Sequence, residues 1–217
     1  MRPHTTFVCA GLAMLISCNL AILNAYASNT VKVPILLEGQ DSDGNEANEI
    51  VMSWDHGSMP DPIQMQWATS QIPVRGVALE PLMAAFDYAM AYQSTTIHPT
   101  GILSLSITST GSLGDEGPSV GAGLAVGFLA VLRGDRLASG IAVTGTLEST
   151  GRIGPVRNIA QKVRIAVHQG YRVVLVPRGQ VRAPRARLVG IGVDSKVIIQ
   201  EVGTIPEAYA IMTGRQR

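Results

Sequence analysis

Apolar positions recur along the chain with two different spacings, which predict strands in some segments and helices in others. Two β-branched and apolar runs, 31–37 and 50–54, flank a polar stretch and predict a hairpin with a long tip. Segment 59–75 is interrupted by prolines and shows no clear period. At 103–107 leucine or isoleucine alternates with serine, which is typical of a strand with one buried face. The remaining patterns predict strands at 141–144, 173–176 and 197–202, a small hairpin at 145–155, and helices at 79–92, 156–169 and 205–212.

Strands and helices alternate through the second half of the chain, so the predicted fold class is α/β, or α+β with a mixed sheet. A chain of 217 residues that is 46% hydrophobic is long enough for one domain with a sizeable core. We therefore predict a leader at 1–27 and a single domain at 28–217. Within that domain, 28–78 forms the hairpin and an irregular segment, and 79–217 forms the core.

The first 27 residues are typical of a secretory signal peptide. Arg2 precedes the largely apolar segment 7–23, and Ala25-Tyr26-Ala27 fits a small-x-small cleavage site. Two other interpretations stay open: lipidation of Cys18, and retention of the leader as an uncleaved anchor. All three interpretations predict a domain outside the cytoplasm: periplasmic or secreted if the leader is cleaved, and membrane-anchored facing outward in the other two cases. Contact with a membrane is expected only if the leader is retained or Cys18 is lipidated.

Charge and cysteine content exclude several classes of function. The formal net charge is +1, so no strong field favours nucleic acid as a partner. The two cysteines, Cys9 and Cys18, both lie in the leader. Once the leader is removed, the domain has no thiol nucleophile, thiolate zinc site or disulfide.

A glycine-rich loop, 114–123, leads into a segment that predicts a buried helix beginning at Pro118. Proline is favoured at the first helical position because its missing N–H would have no partner there. Ser119 then lies in the first turn, where free N–H groups and the helix dipole favour a negative oxygen. A serine nucleophile needs such a site, but the same pattern also fits an ordinary polar residue near a helix start.

Lys162 occupies a position at which the helical pattern predicts an apolar side chain. Ile159, Val163 and Ala166 form the core-facing stripe of the predicted helix, and Lys162 lies at i+3 from Ile159. One interpretation places its ammonium group in water at the edge of the stripe. The other buries the amine, which disfavours the charged form and would provide a general base near neutral pH.

Several motifs around these two residues follow one another in a fixed order. Taken together, they resemble the proteolytic domain of the Lon protease family, the serine-lysine peptidases. Lys162 follows Ser119 by 43 residues, a spacing similar to that of the family. The resemblance covers roughly 79–212 and is strong at 115–177. The motifs that carry it are Glu116-Gly117-Pro118-Ser119-Val120-Gly121, Val143-Thr144-Gly145, the turn at 151–156, Lys162 in its helix, and the run at 170–177.

The resemblance implies a Lon-type fold, a mixed sheet flanked by helices, and a role for each matching residue. Ser119 would be the nucleophile and Lys162 the general base. Thr144 would help to orient the lysine amine, and Glu116, at the acidic position of the motif, is the second supporting residue. Backbone N–H groups from Gly117 to Ser119 would form the oxyanion hole. The implied activity is that of a serine endopeptidase acting on peptides or unfolded proteins through an acyl-enzyme.

The chain departs from the family in three respects. Thr146 stands where the family often has glutamate after Thr-Gly, and the strand at 103–107 has serines where common members have histidines. Lon proteases couple this domain to an ATPase, and the sequence shows no G-x-x-x-x-G-K-[ST] phosphate loop. We therefore expect cleavage by this chain to be independent of ATP and to need no cofactor.

Two further classes of function compete with the peptidase. The histidines outside the leader, His56, His98 and His168, form no H-E-x-x-H pattern, so a metal site is not expected. A non-catalytic scaffold or partner-binding domain with the same fold remains the alternative. Domains of the Lon type tend to form rings, so the resemblance also suggests a homo-oligomer.

Overall fold

The computed structural model describes residues 28–36, 49–57, 61–67, 79–93, 99–108, 117–182, 188 and 196–215. The predicted leader and the tip of the first hairpin lie outside the described residues. Within them, the predicted α/β class is confirmed, because helices pack on a mixed sheet and on a parallel sheet.

The first half of the chain forms a four-stranded sheet. Its strands are β1 (Ser28–Pro34), β2 (Glu49–Asp55), β3 (Gln64–Trp67) and β4 (Ile102–Thr108), in the order β1-β2-β4-β3. The three longer strands pair antiparallel, whereas β3 runs parallel to β4. The predicted hairpin and the predicted strand at 103–107 are confirmed. The interpretation of 59–75 as a segment without a regular element was wrong, because β3 lies inside it.

Helix α1 (Leu79–Gln93) packs on helix α2 (Gly121–Arg133), and α2 packs on this sheet through β1 and β2. Every residue of α2 from Gly121 to Leu132 is buried, as expected for a helix that is apolar on all sides. The helix ends at Gly134, which adopts the left-handed conformation (φ 68°) that favours glycine. Helix α2 is therefore the centre of the larger core.

The second half contributes a three-stranded parallel sheet and a short ribbon. The sheet has the order β5-β8-β9, with β5 at Ile141–Val143, β8 at Val173–Pro177 and β9 at Ile198–Val202. The ribbon pairs β6 (Thr146–Leu147) antiparallel with β7 (Ile153–Gly154), which confirms the small hairpin predicted at 145–155. The predicted strand positions hold to within one or two residues.

Helices α3 (Ile159–His168) and α4 (Ile205–Met212) complete the fold. The predicted start of α3 at 156 was three residues too early, because Asn158 takes a left-handed conformation (φ 50°) that interrupts helical geometry. Gly170, with φ 80°, prevents the helix from continuing beyond α3, as predicted. In α4 the Thr204 hydroxyl accepts from the Glu207 backbone N–H, an ordinary N-cap.

Two hydrophobic clusters divide the interior. The larger joins the four-stranded sheet to α1, α2 and α4, and the smaller joins α3 to β8. The segment that contains β1 contributes side chains to both clusters. Val31 and Val33 belong to the larger cluster, and Leu36, just after the strand, belongs to the smaller. In the part of the chain that the structure describes, no helix combines the length and apolar character needed to cross a bilayer.

We predict that replacing Gly127 by alanine destabilises the protein. A methyl group there would lie 2.3 Å from Cγ2 of Val33 and 3.0 Å from Sδ of Met52. The side chain of Val33 cannot rotate away freely because its χ1 angle is restricted. The free-energy cost of overpacking should therefore exceed the gain of roughly 1 kcal/mol in helix propensity. The expected loss in free energy of unfolding is about 1–2 kcal/mol, measured by urea denaturation.

Gly123→Ala is the matched control, since it lies one helical turn earlier on α2. Its methyl group would meet Val33, Pro34 and Val143 at 3.6–3.7 Å, which is ordinary contact. This variant should be as stable as the wild type or slightly more stable. Equal stability of the two variants would contradict the close approach of α2 to β1.

Candidate active site

The predicted nucleophile lies in a turn that introduces α2. Pro118–Val120 form one turn of 3-10 helix, preceded by Gly117 in an extended conformation (φ −73°, ψ −176°). The helical segment thus begins at Pro118 as predicted, with a 3-10 turn in place of an α-helical one. Ser119 is partly exposed, whereas Val120 after it is buried. The serine side chain is therefore at a position that solvent reaches.

Backbone hydrogen bonds fix this turn against the segment that follows β5. The N–H of Gly145 donates to the Ser119 carbonyl at 3.0 Å, and the N–H of Ala122 donates to the Gly145 carbonyl at 3.0 Å. Thr144, which is 2% exposed, directs its hydroxyl to the Ser119 carbonyl at 3.4 Å. The backbone N–H of Thr144 in turn donates to Leu175 of β8 at 3.0 Å. The turn is thus tied to the parallel sheet through residues 144 and 145.

Gly145 is required by the close approach of these segments. A methyl group at this position would lie 2.3 Å from Cγ2 of Ile153 and 3.3 Å from Cβ of Ala122. The distance to Ile153 is shorter than the van der Waals contact of two carbon atoms. Ile153 cannot move away easily because it is buried and β-branched. Glycine therefore lets the ribbon pack directly against the start of α2.

Lys162 is buried in the smaller hydrophobic cluster. Its side chain is 1% exposed, on the same face of α3 as the buried residues Ile159, Val163 and Ala166. The Nζ atom donates a hydrogen bond of 2.8 Å to the backbone carbonyl of Leu36. Of the two interpretations of the sequence, the structure therefore shows the buried one. A buried amine without hydrogen bonds would be costly, and the Leu36 carbonyl supplies an acceptor.

A narrow cavity is lined by two of the predicted residues and is connected to Lys162 through Leu36. Ser119 and Thr144 line it directly, and so does Leu36, the residue that accepts from Lys162. Its volume is about 10 Å³, about the room needed by one water molecule. Apolar residues complete the lining: Val33, Pro34, Ile35, Ile50, Val120, Gly123, Leu124 and Val143.

Leu36 is the residue of this site that the sequence did not reveal. It acts through a backbone carbonyl, which every residue has, so no side-chain pattern marks it. The only available signal was its place at the end of the predicted strand 31–37. Glu116, the second supporting residue of the prediction, lies outside the described residues. Among the residues that the structure describes, no group of three His, Cys, Asp or Glu side chains could hold a metal ion.

Comparisons with known proteins point to one family. The family described as Lon protease (S16) C-terminal proteolytic domain matches residues 84–188, just under half of the chain. A peroxisomal Lon protease homolog 2 from Caenorhabditis elegans is 35% identical over 68 residues, which is 31% of this chain and 9% of that protein. Lon protease from Desulfosudis oleivorans is 32% identical over 69 residues, or 32% of this chain and 8% of that protein. The chain therefore matches only about a tenth of the length of these relatives.

We predict that Lys162→Met leaves the protein folded with a free energy of unfolding within about 1 kcal/mol of the wild type, or higher. Methionine has a similar length and no charge, so it removes a polar group from an apolar site, although the Leu36 carbonyl loses a donor. Lys162→Ala should lose about 2–4 kcal/mol because it leaves a cavity.

Urea denaturation of the three proteins checks this prediction. A large loss of stability in Lys162→Met would show that the lysine is needed for folding. An unchanged or raised stability would mean that a buried lysine is kept for a reason other than stability.

Proposed function

Since the chain belongs to the Lon protease family through its proteolytic domain, we propose that it is a serine endopeptidase with Ser119 and Lys162 as its catalytic dyad. The observation that carries the proposal is the buried position of Lys162. Its amine donates to the carbonyl of Leu36, and Leu36 lines the same cavity as Ser119 and Thr144. A scaffold domain gains nothing from a lysine in a hydrophobic cluster, whereas a peptidase needs an amine beside its serine.

The proposed reaction proceeds in two displacements at one carbonyl carbon. The Ser119 Oγ atom attacks the peptide carbonyl while Lys162 takes the hydroxyl proton, and a C–O bond forms. The C–N bond then breaks as Lys162 returns that proton to the leaving amine. Water attacks the resulting ester, its proton passes through Lys162 to the Ser119 oxygen, and the carboxylic acid product leaves.

Backbone groups around the nucleophile would stabilise the tetrahedral intermediate. In this proposal the donors are the N–H groups of Gly117, which precedes the 3-10 turn, and Ser119, which lies in it, since proline at 118 has no N–H. Donors at a helix start favour the negative oxygen that forms in the transition state. Thr144 supports this arrangement by holding the Ser119 carbonyl, so the turn keeps its shape when substrate binds.

The substrates that fit this proposal are peptides and unfolded proteins, cleaved without ATP. The 217 residues contain no phosphate-loop motif with which to bind and hydrolyse a nucleotide. A folded protein rarely exposes an extended backbone, so a peptidase without an unfolding engine is restricted to chains that are already open.

We predict that the purified chain cleaves a reduced and alkylated, permanently unfolded protein in the absence of ATP. Ser119→Ala and Lys162→Met should each lower the rate of cleavage by about 10³-fold or more, because each removes an essential partner of one proton transfer. Mass spectrometry of the products gives the rate and the cleavage positions.

Two matched variants control for nonspecific effects. Ser53→Ala removes a hydroxyl on β2 that bonds to Thr30, and Lys196→Met removes an exposed amine. Both should cleave at the wild-type rate. If all folded variants, wild type included, leave the substrate intact, the peptidase proposal is wrong and the scaffold interpretation replaces it. Cleavage that survives Lys162→Met would reject the dyad alone.

We further propose that the domain acts outside the cytoplasm after cleavage of its leader behind Ala27. Expression of the whole chain in a Gram-negative host should give a mature protein that begins at Ser28, as read from its intact mass. Leucine at positions 25 and 27 should block processing, because the cleavage site needs small residues, whereas Cys18→Ser should leave it unchanged. A lipid-modified Cys18 or an intact Met1 would contradict the proposal.

A further inference from the structure

A second, larger depression lies beside the nucleophile turn, between α1 and the β6-β7 ribbon. One wall is the face of α1 formed by Ala84, Asp87, Tyr88 and Ala91, which follow the i, i+3, i+4, i+7 spacing of one helical face. Leu147, Glu148 and Ser149 form the other wall. We call this depression the α1 groove. Its volume of about 410 Å³ is sufficient for one large side chain and its backbone.

The α1 groove begins close to Ser119. Leu147 of its wall lies two residues after Gly145, whose N–H binds the Ser119 carbonyl. Two residues of strand span roughly 7 Å. Leu147 also lies against Gly121 at the start of α2, since a methyl group built there would be 3.1 Å from Leu147 Cβ. An extended chain whose carbonyl is at Ser119 can therefore place a neighbouring residue in the groove.

The lining combines an apolar floor with two carboxylates. Ala84 and Ala91 are small and leave space, and Leu147 supplies aliphatic contact. Asp87 is exposed on α1 and Glu148 is exposed on the opposite wall. Both charged groups in the lining are negative, and they face the groove from two different elements.

Tyr88 closes the groove between these walls. Its ring packs against Gly151, where an added methyl group would lie 2.6 Å from the ring and from its hydroxyl oxygen. Burial is the main cause that raises the pKa of Tyr88; Tyr92 adds to this and Arg133 opposes it. The phenol therefore stays neutral at physiological pH and offers a ring face to a cation.

We propose that the α1 groove is a subsite for a lysine or arginine residue of the substrate, next to the bond that is cleaved. This inference rests on the proposed peptidase function and names the substrate class of the same site. The aliphatic stem of the side chain would pack on Leu147 and the alanines, and its cation would lie near Tyr88 and the two carboxylates.

Two cations of the protein itself lie near these groups. Arg152 contacts Glu148 at 3.6 Å, but both side chains are largely exposed, so water screens the pair and a substrate cation can compete. Arg133 stacks on Tyr92, 5.1 Å from the ring centroid, and on Tyr209. Neither pairing includes Asp87, so this carboxylate is the residue to test first.

The experiment compares two peptides that differ at a single residue beside the cleaved bond, which carries arginine in one and citrulline in the other. Citrulline keeps the shape of arginine and lacks its charge. In the wild type we expect kcat/KM for the arginine peptide to be about fivefold higher. Asp87→Asn should reduce this preference about threefold, and Asp87→Asn with Glu148→Gln should reduce it further.

Glu80→Gln is the matched control, because Glu80 is an exposed carboxylate on the same helix that does not line the groove. It should keep the full preference for arginine. The preference should also decrease at high ionic strength, since it depends on exposed charges. Equal rates for the two peptides in the wild type, or a preference unaffected by the double substitution, would overturn the proposal.

Binding measurements on the Ser119→Ala variant separate this proposal from the peptidase function. Fluorescence anisotropy of the labelled peptides reports occupation of the groove without turnover. If the wild type cleaves both peptides but binds them equally, the subsite is rejected and the peptidase stands. If neither peptide is cleaved but arginine binding depends on Asp87, the peptidase is rejected and the groove stands as a cationic peptide site. Binding of neither peptide rejects the groove.

Discussion

The hydrogen bond from the Lys162 amine to the Leu36 carbonyl is the constraint on which the proposed site depends. It spans 126 positions of the chain and is buried at both ends. A lysine on the apolar face of α3 must find an acceptor inside the protein, and the chain leaving β1 is the element that supplies it. The bond thereby fixes the end of β1 against α3 and brings residues of both hydrophobic clusters to the cavity that Ser119 lines.

The proposed nucleophile is positioned in a different way, by the close approach of the ribbon backbone to the start of α2. Glycine at 121 and 145 lets the ribbon lie against the start of α2, and hydrogen bonds from Gly145 and Thr144 then hold the Ser119 carbonyl. Backbone contacts of this kind cannot relax by side-chain rotation, so the turn should be rigid. One partner is therefore fixed by a buried side chain and the other by its main chain, which suits a site that requires fixed geometry.

Much of this arrangement followed from the sequence because its signals are local. Helix α2 was recognised from proline followed by a continuous apolar run, and the unusual position of Lys162 from the period of its own helix. Strand β3 was missed because its alternation of glutamine with Met65 and Trp67 is only four residues long and lies in a segment interrupted by prolines. Its pairing partner, β4, lies outside that segment. The start of α3 is set by the left-handed conformation of Asn158, which no side-chain pattern marks. Leu36 acts through a main-chain carbonyl, which no side-chain pattern marks either.

The position of Leu36 also bears on where the site begins in the chain. The family match covers residues 84–188, and that stretch holds both Ser119 and Lys162. The acceptor of the lysine amine, however, lies on a segment that precedes the matched region by almost fifty residues. A fragment restricted to the matched region would keep both proposed catalytic residues but leave the amine buried without this acceptor. Since the hydrogen bond to Leu36 is buried, its loss would cost free energy, and the N-terminal hairpin is therefore a structural part of the proposed site.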